Sequence, residues 1–109
     1  MQPNGLIKLP ELDDVGFRRA VGSCTFMATL VYTPTCGTCQ LAKQIMGVLA
    51  QSLPELAVFQ VNLNHYEQLA AEFEVLSVPC LLIHKDGQYE GSTYRFGAAD
   101  LYERLQSYM

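Results

Sequence analysis

The stretch Thr33-Pro34-Thr35-Cys36-Gly37-Thr38-Cys39 decides how this chain is read. Before it runs Thr25-Phe26-Met27-Ala28-Thr29-Leu30-Val31-Tyr32, β-branched and aromatic enough for a buried strand. After it runs Gln40 to Leu49, with Leu41, Ile45, Val48 and Leu49 in helical spacing. The two cysteines therefore belong to a strand-to-helix junction, in or just before the first helical turn. Unpaired backbone N–H groups and the positive end of a helix favour a thiolate over a thiol there. The Cys-x-x-Cys spacing also lets the second sulfur reach the first with little backbone movement. A mixed disulfide formed at one can then be resolved by the other.

The whole chain frames that motif. Its 109 residues suit one domain, 1–109, able to bury an ordinary core. Half of them are hydrophobic and 17% charged, which predicts a globular chain. A net charge of −4 without a Lys/Arg cluster argues against a nucleic-acid partner. No apolar run approaches the ~18 residues of a membrane helix, so no membrane partner is expected. Met1-Gln2-Pro3-Asn4-Gly5 lacks the basic and apolar regions of a signal peptide, and the expected location is cytoplasmic. In a reducing compartment four cysteines are not a disulfide framework, so the Cys-x-x-Cys pair reads as redox or metal chemistry.

Outward from the motif, Leu6-Ile7-Lys8-Leu9 could form a short edge strand. Pro10, Glu11, Asp13 and Asp14 suit a helix start, with Leu12, Val15, Phe17, Ala20 and Val21 as its apolar face and Gly22-Ser23 as its end. The helix after the cysteines runs to Leu53, where Pro54 stops it. Ala57–Leu63 reads as a second core strand, and Asn64 as the cap of a helix whose face holds Tyr66, Leu69, Ala70 and Phe73. Cys80-Leu81-Leu82-Ile83-His84 is a short apolar strand, with His84 at its solvated end. Lys85-Asp86-Gly87-Gln88 carries the Asp-Gly hairpin signal, pairing that strand with Tyr89–Phe96. Gly97 introduces a last helix with Leu101, Leu105 and Tyr108 inward. The order β-α-β-α-β-α-β-β-α predicts an α/β fold, a mixed central sheet flanked by helices on both faces.

With Cys36-Gly37-Thr38-Cys39 at a helix start, Val78-Pro79 some forty residues on, the Lys85-Asp86-Gly87 hairpin and Gly97 before the last helix, the chain resembles the thioredoxin family along most of its length. The resemblance implies the thioredoxin fold, with Pro79 in the cis form against the cysteine pair. It implies Cys36 as the nucleophile and Cys39 as the resolving thiol, with no cofactor beyond their redox-active disulfide. It implies a substrate surface of Thr35, Gly37, Thr38, Val78 and Pro79, where the Val78 backbone pairs with the bound chain. Gly37 would permit close backbone approach at the helix start. Disulfide-containing protein substrates and a thioredoxin reductase-type electron donor are the implied partners.

The sequence also departs from that family. Thr35 stands where a tryptophan usually precedes the first cysteine, and Thr38 where a proline usually separates the pair. The family's buried acid falls at Leu30, its lysine partner at Gln60, and its helix-kinking proline at Gln44. Cys80, directly after Pro79, reads either as a small apolar core residue or as a third thiol near Cys36; Cys24 reads as structural. Three functions follow: a thiol–disulfide oxidoreductase, a non-catalytic binding module on the same fold, or a metal or iron–sulfur carrier using Cys36, Cys39 and Cys80. A dedicated metal site is not expected, because zinc takes about four ligands and only those three sulfurs could converge.

Overall fold

A computed structural model describes residues 9–109. In chain order these form α1 (Asp14–Ser23), β1 (Phe26–Tyr32), α2 (Gly37–Ser52), β2 (Ala57–Asn62), a 3-10 turn (Leu63–His65), α3 (Gln68–Glu72), β3 (Cys80–Lys85), β4 (Gln88–Thr93) and α4 (Ala98–Gln106). The sheet order is β2-β1-β3-β4. β1 runs parallel to β2 and antiparallel to β3, and β3 pairs antiparallel with β4. The sheet is mixed, as the sequence predicts. The expected strand at Leu6–Leu9 lies outside the described residues except for Leu9, which is buried in the core.

All seven residues of β1 are buried, because this central strand is covered on both faces. Ala28 and Leu30 face one layer, where Ala42, Met46 and Leu49 of α2 meet Leu101 and Leu105 of α4. Met27 and Val31 face the other, with Phe17 and Ala20 of α1 and Leu69 of α3. The period-2 alternation of β1 therefore divides two hydrophobic layers, and the strand, packed on both faces, leads directly into the cysteine loop.

Several expectations change. The segment before α1 is not helical at Pro10–Leu12. The Leu12 amide donates to the Gln60 carbonyl at 2.9 Å, and the Gln60 amide donates to the Pro10 carbonyl at 2.9 Å. The open edge of β2 takes these backbone groups, and the helix begins where Asp13 caps it by accepting from the Gly16 amide at 2.7 Å. Val15, expected on the apolar face, is exposed. Asn64 caps no helix; the Asn62 side chain accepts from the Asn64 amide at 3.0 Å and starts the 3-10 turn instead. β4 stops at Thr93 rather than Phe96, where the Arg95 amide turns back to the Thr93 hydroxyl at 3.0 Å. The Asp86-Gly87 turn is as expected, with φ of 52° and 78° in the mirror-image turn that suits a two-residue hairpin.

His84 is the clearest correction. It is 3% exposed rather than solvated, and its ring packs edge-on against Phe17 and Phe73 and tilted against Tyr89. A register shift between Ile83 and His84 accompanies this placement near the strand's end.

Candidate active site

Cys36 is the N-cap of α2 and Cys39 lies within its first turn. The intervening loop turns on the Cys36 amide, which donates to the Thr33 carbonyl at 3.2 Å. This places the Cys36 sulfur at the end of the helix where amides are unpaired and the dipole is positive. Cys36 is half-buried and Cys39 fully buried. All four cysteines are free thiols here.

The two thiols ionise differently. Hydrogen bonds from the Cys39 thiol and then from the Thr38 hydroxyl hold Cys36 below the usual thiol range, against the smaller opposing effect of burial. The Thr38 Oγ1 lies 3.4 Å from the Cys36 sulfur. Burial pushes Cys39 up to about 11, and its hydrogen bond to Cys36 pushes the same way. One sulfur is thus half-exposed and acidic while the other is enclosed and keeps its proton. That division suits an attacking thiolate and a resolving thiol.

The Val78–Pro79 bond is cis, as the resemblance implies. The Cys36 thiol lies 3.8 Å from the Val78 carbonyl oxygen, so Val78 and the cysteine loop form one surface. Thr35 and Thr38 are exposed on that surface and Val78 and Pro79 are half-buried. The segment before Val78 is held by Tyr94, whose hydroxyl accepts from the Leu76 amide at 3.0 Å. Sequence reading missed this tie, since nothing local links positions 76 and 94. Gly37 is a second difference of detail: a Cβ there would meet nothing within 4 Å among the described residues. No contact within the described chain requires a glycine; the space is open outward.

Cys80 is fully buried on the face of the sheet that packs against α1 and α3, beside Val31, Leu69 and Leu82. Burial pushes its thiol above the usual range and keeps it protonated, partly offset by hydrogen bonds with Tyr94 and Ser92. Among the described residues no three His, Cys, Asp or Glu side chains stand together as metal ligands. Leu30 and Gln60 oppose each other across the β1–β2 ladder, so an apolar and an amide side chain occupy the places of the family's acid and lysine.

Residues 9–109 match the family model described as Thioredoxin. Over 77 residues the chain is 39% identical to the thioredoxin-like protein YusE of Bacillus subtilis, covering 70% of this chain and 73% of that one. Over 52 residues it is 35% identical to the thioredoxin of Chlamydia pneumoniae, covering 48% of this chain and 51% of that one, so it spans about half of that relative. Among solved structures, mitochondrial thioredoxin 3 of Saccharomyces cerevisiae in its oxidised form superposes with a TM-score of 0.83 at 21% identity, covering 91% and 94% of the two chains. That likeness establishes the shared fold. The family match over all the described residues, carried on an intact cysteine pair at the head of α2, makes this protein a member of the thioredoxin family of redox proteins.

Proposed function

We propose that the chain is a thiol–disulfide oxidoreductase that reduces protein disulfides through a reversible Cys36–Cys39 disulfide. The observation that carries this reading is the placement of the pair: Cys36 is half-exposed at the N-cap of α2, 3.8 Å from the Val78 carbonyl oxygen, and Cys39 is buried in the first turn, which favours ionisation of the first thiol over the second. The Cys36 thiolate attacks a substrate disulfide, forming a mixed disulfide and releasing one substrate thiolate. Cys39 then attacks the Cys36 sulfur, closing the internal disulfide and releasing the second substrate sulfur. The substrate gains two electrons and the cysteine pair loses two. Thr35, Gly37, Thr38, Val78 and Pro79 receive the substrate chain, the Val78 carbonyl accepting from its backbone. A thioredoxin reductase-type donor returns the pair to the dithiol. The reading places the protein in the cytoplasm, where thiols are kept reduced. Among the described residues no helix is long and apolar enough to cross a membrane.

Turnover of a disulfide-bonded protein under a dithiol reductant tests the proposal. Cys36→Ser should lose about a thousandfold or more in rate. Cys39→Ser should instead accumulate a mixed disulfide at Cys36, visible by mass. A Cys36→Ser variant that keeps its rate would contradict the reading.

A further inference from the structure

Leu30 leaves no acid behind the cysteine pair, yet charged and polar groups do gather beside it. Tyr32 is the last residue of β1, the strand that feeds the cysteine loop. Its hydroxyl donates to the Glu11 carboxylate, brought there by the segment clipped to Gln60. Across the ring of Tyr32 lies the Lys43 ammonium, 3.7 Å from the ring centroid. A cation at that distance from an aromatic face is held by the ring's charge distribution. Lys43 follows Cys39 by four residues within α2, so both stand on one helix face about one turn apart.

We propose that Lys43, steadied over the Tyr32 ring by the Glu11–Tyr32 pair, is a positioning cation that supports the Cys39 thiolate formed when the mixed disulfide is resolved. This rests on the oxidoreductase reading above. During resolution the buried Cys39 thiol must lose its proton before its sulfur attacks Cys36. The proton ends on the substrate sulfur that departs, so charge balances over the step. A negative sulfur in a water-poor place is costly without a nearby positive charge. Lys43 supplies that charge, and α2 holds it at fixed spacing. It favours the ionised form of Cys39, against the larger opposing effects of burial and the Cys36 hydrogen bond. Burial first, then Glu11, raises Tyr32 to about 12, so its hydroxyl stays a neutral donor and its ring stays a platform. The groups that act on Cys39 are Cys36, the Thr33 backbone and Lys43; Glu11 and Tyr32 act through Lys43.

The full chain and its variants would be mixed with a neutral dipyridyl disulfide under single-turnover conditions. The first thiopyridone release depends on reagent concentration and reports Cys36 attack. The second is concentration-independent and reports attack by Cys39. Lys43→Gln should slow the second release roughly three- to tenfold at neutral pH, with little change in the first. Lys43→Arg should restore it, Tyr32→Leu should slow it, and the double variant should be no slower than the single ones. Added salt should narrow the gap between wild type and Lys43→Gln, because Lys43 is half-exposed. Equal second-phase rates for wild type and Lys43→Gln would overturn the role of Lys43 while leaving the oxidoreductase reading intact. A wild-type chain with no concentration-independent second release would sink that reading itself.

Discussion

The Cys36 sulfur and the Val78 carbonyl oxygen lie 3.8 Å apart, joining the head of α2 to the residue before Pro79. In the thiol form Cys36 donates to that carbonyl. Once Cys36 ionises the donor is gone, and the carbonyl is free to accept from another chain. Ionisation at Cys36 and an open acceptor at Val78 are thus linked in one place.

Thr38 is the residue in this chain that tunes that ionisation most directly through a side-chain hydroxyl. Thr38→Val removes the hydroxyl 3.4 Å from the Cys36 sulfur while nearly keeping its volume. The lowering of Cys36 should weaken, so less thiolate is present at neutral pH. Alkylation of Cys36, followed by mass against pH, should show its midpoint moving upward and its neutral-pH rate falling about three- to tenfold. Thr38→Ser should stay near wild type.

Gly37 separates stability from recognition. A Cβ there meets nothing within 4 Å among the described residues, and the position opens α2. Gly37→Ala should leave chemical denaturation unchanged or stabilise the fold by up to about 1 kcal/mol. If a substrate chain lies across that open space, the same variant should raise KM for protein disulfides more than for a small dipyridyl disulfide.

Gly87 behaves in the opposite way. Its φ of +78° belongs to the hairpin turn, while the nearest atom to an added Cβ, the Val21 carbonyl oxygen, is 3.6 Å away. Contact is ordinary, so the cost of Gly87→Ala is conformational, about 1–2 kcal/mol in urea unfolding.

His84 should make stability depend on pH. Burial lowers its ionisation below the ordinary 6.5, against a smaller opposing effect of Glu72. The unfolded chain therefore takes up a proton at this residue before the folded one does. Stability should fall as pH drops below about 6.5, with a slope of at most about 1.4 kcal/mol per pH unit, and level off below the folded value. His84→Leu should remove that component of the slope; an unchanged slope would show that other groups carry it.

What the sequence revealed and what it concealed divide along sequence distance. The strand before Cys36, the helix after it and the Asp86-Gly87 turn are local patterns of period and turn chemistry, and they stand as read. The cis bond at Val78-Pro79 came from resemblance rather than from any local pattern. The extended pairing of Pro10–Leu12 was hidden because its partner, Gln60, is some fifty residues away. His84 looked like a strand-end residue because its aromatic neighbours, Phe17, Phe73 and Tyr89, come from three other segments. No local pattern marks the Lys43–Tyr32 contact: the sequence shows only that Lys43 stands four residues after Cys39 in the helix. What it rests on could be seen only in three dimensions.

The central claim is tested most directly by equilibrating the protein in thiol–disulfide buffers of graded potential, trapping free thiols by alkylation, and weighing the products. One two-electron transition confined to Cys36 and Cys39 is expected, with a midpoint between about −270 and −200 mV, the span from thioredoxin to glutaredoxins. Failure to form a reversible Cys36–Cys39 disulfide at any poise would contradict it.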